Sequence, residues 1–575
     1  MTKPTATPAP APPNLAGPTP LKVLAQIDLD GIQDLPGARR AIVQLFNLTE
    51  DLQTTIRQLR DENQRLRDEN NRLKGEQGKP DIKPNKPPTP PAASDHSSEA
   101  ERRKPRAWRK EPKLDRIPID REETVRVDPA QLPADAEFKG HEDVVVQDLI
   151  IQTDNVLFHK EKYYSPGAQK TYLADLPPGY TGQFGPGIKA LVLVQYHACN
   201  VAEPKLLEFL RDVGIVISAG QLSNLLIKQQ EPFHAEKTAV YAAGLRSSPW
   251  QHLDQTGTRV NGVNQQCHVL CNPLYTAFFT TAHKDRLSVL DVLRNLGSRT
   301  FRCNAEALEL LHALGLAQWA IRAVATWPQD QDWSEAELTQ RLEAQLQPPF
   351  GPQQRRHILE ATAIAAYHHQ HEFPVIQLLL CDDAPQFDWL TADLALCWVH
   401  DGRHYQKLAP CVPRHQELLA AFKTEYWDFY DQLLAYREHP SPAAKVRLTA
   451  EFDRLFATTT GYQQLDDRIA KTRLNKVSLL LVLDHPEIPL HNNPAELGAR
   501  QRVRKRDVSF GPRTAEGAQG WDTFQTLAAT AKKLGVSFYH YIHDRVAQTN
   551  LLPSLADLIR QRAEEQPLGA SWNSG

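Results

Sequence analysis

Three acidic residues stand where separate elements of one core would each supply a carboxylate. They are Asp254 in WQHLDQT, Asp382 directly after the apolar run VIQLLLC, and Glu496 in HNNPAELGAR. Two divalent ions a few ångströms apart need bridging oxygen ligands, and these usually come from different elements rather than from one loop. The pattern points to two-metal phosphoryl transfer on nucleic acid. Asp254, Asp382 and Glu496 would be both catalytic residues and metal ligands, holding two Mg²⁺ with Mn²⁺ as a substitute. Asp383 competes for the second position. In a chain with 69 Asp and Glu, each acid alone reads as a surface acid, a turn residue or a helix-terminal charge. Their order along the chain carries the argument.

That order follows from the elements around them. QHLDQTGTRV, QQCHVLCN and YTAFFTTA are β-rich runs separated by turn residues, which predicts an antiparallel meander with Asp254 on its first strand. The helical stretch RLSVLDVLRNLG follows. VIQLLLC has the continuous apolar character of a strand buried on both faces, and it delivers Asp382 at its carboxyl end, where functional groups gather in open α/β sheets. Asn492, Asn493 and Pro494 read as the cap and first turn of a helix that carries Glu496, Arg500 and Arg504 on one face, with Lys505 and Arg506 extending the positive surface toward DNA phosphate. Residues 298–372, with AEALELLHALGLAQWAIRAV and WSEAELTQRLEAQL, predict an all-α insertion that splits the core into 246–297 and 373–545. A helix and tail occupy 546–575.

The residues also carry a resemblance. The run PLHNNPAELGARQRVRKRDVSFGPRTAEGAQGWDTFQTLAATAKKLGVSFYHY, residues 489–541, resembles the C-terminal signature of the insertion sequence 66 family of DDE transposases, with an Asn-Asn pair before the catalytic Glu, a basic stretch after it and a Thr-Ala-rich helix beyond. CDDAPQF and LALCWVHDGRHYQKL resemble the family's second-Asp block, and HLDQTGTRV its first-Asp strand. The likeness spans roughly residues 125–560. It implies an α/β, RNase H-like (retroviral integrase-type) catalytic core. The implied function is Mg-dependent DNA cleavage at transposon ends with strand transfer into target DNA. It favours Asp382 over Asp383, because Phe387 falls on the family's aromatic position, and it sets Cys397, His400 and Arg403 beside the active site, where His400 and Arg403 would orient phosphate or bound water. Departures are Gln255 for the usual Glu, His491 for Asp and Leu497 for Arg. The family's Cys-rich zinc segment has no counterpart, since residues 126–198 contain no Cys, so 125–198 is expected to be a degenerate, metal-free finger-like region. These departures keep two alternatives in view: a catalytically inactive, transposase-derived DNA-binding dimer, and a structure-specific nuclease on the same core.

Around this core the chain is modular. Residues 1–36 are Pro/Ala/Thr-rich and expected to be disordered. Within 37–77, Leu45, Leu52, Leu59, Leu66 and Leu73 recur every seven residues, with Ile42, Thr49, Ile56, Asn63 and Asn70 at the matching a positions. This predicts a small DNA-binding region preceded by a parallel, homodimeric leucine-zipper coiled coil, with Glu62–Arg67 and Glu69–Lys74 at interchain g–e′ spacing. Residues 78–124 form a Pro-rich linker whose ERRKPRAWRKEPK run carries positive charge for phosphates. In 199–245, an apolar helix with Leu206, Leu207 and Leu210, a Gly214 turn and a Ser218 cap suit either a helix-turn-helix presenting Gln221, Asn224 and Lys228 to a groove, or a plain αα-hairpin. Cys397 with His400, and Cys267, His268 and Cys271, each have the spacing of part of a zinc site, and otherwise read as buried thiols. A net charge of −3 leaves DNA binding to local patches. Seven scattered Cys and no apolar run of membrane length point to a cytoplasmic, nucleoid-associated protein without membrane contact.

Overall fold

The computed structural model describes residues 34–74, 117–133, 135–344, 350–569 and 571. The disordered N-terminus expected before residue 34 and the basic run of the linker lie outside them. The chain divides into two compact units. The larger comprises residues 34–74, 230–538 and 552–571 of those described, and the smaller 117–229 and 539–551.

Helix α1, Leu35–Leu73, is continuous over all five heptad leucines. In the smaller unit, β1 (Lys162–Ser165) and β2 (Lys170–Leu173) form an antiparallel hairpin. Helices α2 (Pro186–His197), α3 (Glu203–Asp212) and α4 (Ala219–Ile227) then pack together and bury Leu193, Leu206, Leu210, Leu222 and Leu226. The helical part therefore begins at Pro186, inside the segment expected to be finger-like, because Gly185 and Pro186 form a ready helix start. No metal-ligand group occurs there among the described residues. Gly214 does turn the chain, at φ +88°, and Ser218 and Gln221 form a reciprocal capping box on α4.

Helix α5 (Glu231–Arg246) belongs to the larger unit instead of the helix-turn-helix region, since its Val240, Tyr241 and Leu245 are buried in contact with the sheet and its neighbours. That sheet has β3 (Trp250–Val260), β4 (Val263–Asn272) and β5 (Tyr275–Thr281) as an antiparallel meander. Helix α6 (Arg286–Leu293) follows. The insertion contains β6 (Thr300–Arg302), α7 (Ala305–Ala313), α8 (Gln318–Ala325), β7 (Asp332–Ser334), α9 (Glu335–Ala344) and α10 (Pro352–His369). It is thus not all-α: β6 and β7 pair antiparallel, with Phe301 opposite Trp333 and both buried. Three-residue strands offer too short an alternation to be read from pattern.

The sheet resumes with β8 (Leu378–Cys381), parallel to β3, and β9 (Asp393–Leu396), parallel to β8, giving the order β5-β4-β3-β8-β9. All four residues of β8 are buried, as its apolar run predicts. After α11 (Trp398–Lys407) comes a second helical segment, inside the stretch 373–545 expected to be core: α12 (Pro413–Glu438), α13 (Pro442–Phe456) and α14 (Gln463–Leu474), gathered around Trp398, Tyr426, Phe429, Phe452 and Phe456. The chain then returns to the sheet with α15 (Asn493–Ser509) and α16 (Ala515–Lys533), and α17 (Leu555–Glu565) closes against α5.

The Thr-Ala-rich helix α16 has a specific task. Edge strand β5 has amides with no strand to receive them, and such an edge must be covered or it pairs with another chain. Thr530, Thr526 and Asp522, spaced four residues apart on α16, accept from the amides of Thr276 (3.2 Å), Phe278 (3.0 Å) and Thr280 (2.7 Å). Asp522 also pairs with buried Arg502 of α15, which ties both helices to the sheet. Among the described residues, no helix is long and apolar enough to cross a membrane.

Candidate active site

The three acids come from different elements and act on one another. Asp254 lies on β3, where its neighbours Leu253 and His252 are buried. Asp382 leaves the end of β8, and Glu496 lies in the first turn of α15. Burial pushes the Asp254 carboxyl up to about 7, and the charges of Asp382 and Glu496 push the same way, against the Gln255 amide bond (2.8 Å) and Arg403. Asp382 is also raised by burial, opposed by His400 and Lys284. Asp383, the rival, is more exposed and has His404 at 3.8 Å.

Glu496 is held by α11. Arg403 donates to its two carboxylate oxygens at 3.4 and 3.2 Å, and His400 Nε2 lies 3.5 Å away. With Arg403 also donating to His400 Nε2 at 3.1 Å, the imidazole proton sits on Nδ1, which is buried without a hydrogen-bond partner among the described residues. Burial keeps the ring neutral by lowering its pKa. The Cys397 thiol accepts from the amides of His400 (3.4 Å) and Asn492 (3.2 Å), so the Cys-x-x-His spacing converges with Glu496, their ligand atoms within 4.8 Å of one another. The other spacing-based group does not assemble: Cys267 and Cys271 are buried thiols, and His268 is engaged by Gln255 (3.0 Å) and Thr281 (2.7 Å).

Asn492 connects these elements. It is fully buried at the start of α15, yet its side chain does not cap that helix. It reaches across to β3, donating to the Leu253 carbonyl at 2.7 Å and accepting from His252 Nδ1 at 2.9 Å. Burial drives the His252 pKa down to about 3, which keeps the ring neutral. One side chain thus fixes the register between the strand of Asp254 and the helix of Glu496, and its own amide fixes Cys397. A second neutral link runs through Gln255, whose Oε1 accepts from Gln386 (2.9 Å) in the turn after Asp382. The Asn-Asn pair was visible in the sequence; the target of its first side chain was not.

Residues 362–520, from α10 into α16, match the sequence model described as Transposase IS66 family. The chain is also 32% identical over 322 residues to an uncharacterized protein, y4jO, of Sinorhizobium fredii (strain NBRC 101917 / NGR234), an alignment covering 56% of this chain and 99% of that protein. This chain belongs to the IS66 transposase family. Its matched segment runs from before β8 through Asp382, Arg403 and Glu496 to the basic helix α15, so two of the three acids lie within it and Asp254 lies upstream.

The expected DNA-contacting residues separate into distinct groups. Arg500 and Arg504 are exposed on α15. Arg403 reaches the acids but is paired with Glu496. Arg506 donates to the Gly257 carbonyl of β3 at 2.6 Å and serves the sheet. Lys505 is a correction: it is fully buried, its ammonium 4.8 Å from the centre of the Trp521 ring. Nine residues at about 100° each set it opposite Glu496, on the face packed against the protein. In the smaller unit, Asn224 and Lys228 are exposed, but both ends of the Gln221 amide are occupied, by Ser218 (3.0 Å) and Gln183 (2.9 Å).

A close approach holds α15 on the sheet. A Cβ on Gly498 would meet Val269 Cγ1 of β4 at 2.6 Å, and that atom is on a stiff β-branched side chain. Gly498→Ala is expected to cost about 1–3 kcal/mol and to lower activity by pushing the Glu496 helix outward. A variant with unchanged melting temperature would show that the helix absorbs the shift.

Proposed function

We propose that this IS66-family chain is a DDE transposase with an RNase H-like core, cutting at transposon ends and joining the freed 3′-hydroxyl to target DNA. The observation that carries this is the meeting of Asp254, Asp382 and Glu496 from β3, β8 and α15 on a sheet whose first three strands are antiparallel and whose last two run parallel to the first. A cluster of carboxylates in which burial and mutual repulsion raise Asp254 to about 7 is a donor set suited to divalent cations. Asp254, Asp382 and Glu496 would hold two Mg²⁺, with Mn²⁺ able to replace them. When bound, such ions supply Lewis acidity toward the attacking and leaving oxygens of phosphate.

The protein's own groups do the positioning. A cleft lined by Gln266, His283, Lys284, Asp285, Arg286, Arg356 and Gln386 offers Lys284 to a phosphate and amides to base edges, while buried Arg286 and the rim residue Arg356 are both paired with Glu360. It adjoins the acids, because Lys284 acts on Asp382 and Gln386 bonds Gln255. Arg500 and Arg504 add phosphate contacts on α15. Arg403 neutralises Glu496 and is placed to move to a phosphate oxygen when substrate arrives. Asn224 and Lys228 of α4 are offered to DNA, and the leucine seam of α1 to a second copy.

The test is Mg²⁺-dependent cleavage and strand transfer on DNA carrying the element's ends, with wild type beside Asp254→Asn, Asp382→Asn and Glu496→Gln. Cleavage and transfer that each substitution removes supports this reading. Cleavage without transfer moves it to a nuclease, and end binding without cleavage to an inactive DNA-binding dimer.

A further inference from the structure

Helix α1 presents two faces with different partners. One is docked on its own chain. The 26-residue helix α12 has no side-chain cap of its own, and its start is capped by Glu50, which is 1% exposed and accepts from the amides of Cys411 (2.9 and 3.0 Å) and Val412 (2.8 Å), with His415 Nδ1 at 3.3 Å. A carboxylate at a helix N-terminus satisfies orphan amides and complements the dipole. Helix α14 likewise lacks its own cap, and Asn47 supplies one, accepting from the Gln463 amide (3.0 Å) while donating to the Gly461 carbonyl (2.9 Å). Arg57 adds a bond to the Ala409 carbonyl (3.1 Å), and Phe46 meets the edge of His415, which stacks on Tyr462.

The residues used for docking, Phe46, Asn47, Glu50 and Arg57, fall at heptad positions e, f, b and b. The a/d seam faces elsewhere: Ile42, Leu45, Leu52, Ile56, Leu59, Leu66 and Leu73 are 40–81% exposed. A helix with a complete open seam, Asn63 and Asn70 at a positions, and complementary Glu62–Arg67 and Glu69–Lys74 pairs fits a second copy of itself.

We propose that α1 is a two-sided coupling element: its Glu50 face caps α12 and α14 of its own catalytic unit, while its leucine seam binds the same helix of a second copy, so that pairing two chains fixes their active sites relative to one another. This rests on the proposed zipper and goes beyond it. The path to the active site is short, because the capped segment 409–412 directly follows α11, the helix that brings His400 and Arg403 to Glu496.

The test uses the full chain, with Glu50→Ala beside Leu59→Glu. Wild type and Glu50→Ala are expected to sediment as dimers and Leu59→Glu as a monomer. Amide exchange at Cys411 and Val412 should accelerate about tenfold in Glu50→Ala alone. Spin labels at exposed Val446 of the two copies should give a narrow distance distribution in wild type and a broad one in Glu50→Ala. Concerted transfer of two ends should fall in Glu50→Ala while single-end cleavage persists. A monomeric wild type, unchanged Cys411 and Val412 exchange in Glu50→Ala, or equal distance distributions would overturn the coupling. Sedimentation, exchange and distances involve no DNA chemistry, so a wild type without cleavage would count against the transposase reading and leave this one standing on its own readouts.

Discussion

Asp254→Asn is expected to abolish DNA cleavage and, in the same protein, to raise the melting temperature of the metal-free form above pH 7. The chemical loss should be on the order of 10³-fold or more, since a carboxylate that bridges catalytic ions has no substitute in an amide. The gain in stability follows from the folded pKa. Asp254 is raised from 3.8 to about 7, so the fold disfavours its charged form. Stability is therefore lost as pH rises from the unfolded value through the folded one, and the full penalty is present above about 7. Three pKa units correspond to roughly 4 kcal/mol, which partial exposure trims to about 2. In EDTA, the variant should out-melt wild type clearly at pH 8 and much less at pH 5. Equal gains at both pH values would mean that the three acids do not share one buried site.

Asn492→Ala should cost less in activity than loss of an acid, but still heavily, while leaving every acid in place. The substitution strips partners from His252 Nδ1 and the Leu253 carbonyl in a fully buried setting. Each unsatisfied group costs about 1–3 kcal/mol, so a loss of roughly 3 kcal/mol is expected by denaturant unfolding. With the link between β3 and α15 gone, Asp254 and Glu496 drift relative to one another, and displacement of about 1 Å costs on the order of 10²-fold. The rate should recover in part at high Mg²⁺ or Mn²⁺, which a merely unfolded variant would not do. Unchanged stability and rate would remove Asn492 from this role.

The elements that carry the three acids are legible in the sequence. The runs around Asp254 and before Asp382 formed the strands their apolar patterns predicted, and Glu496 opened the helix its Pro and Asn signals predicted. The heptad leucines lie on one unbroken helix. Other features carry a signal in the sequence as well. The angular position of Lys505 on α15 already opposed that of Glu496. The aromatic residues of α12 and α13 recur at helical spacing, which marks a second packed helical segment between β9 and α15.

What the sequence by itself determined is the local grammar: which stretches extend, which coil, where each acid sits within its element, and which face of α1 carries leucine. These are properties of neighbours along the chain, set by side-chain period and turn chemistry. Only the tertiary structure decided what the polar side chains bind. Asn492 bonds His252 across 240 residues, and Glu50 caps a helix 361 residues away. An Asn or Glu offers the same donors and acceptors to any partner, and nothing in its neighbours names the one it meets. That choice is made when the sheet brings β3, β8 and α15 together and burial makes every unsatisfied polar group costly.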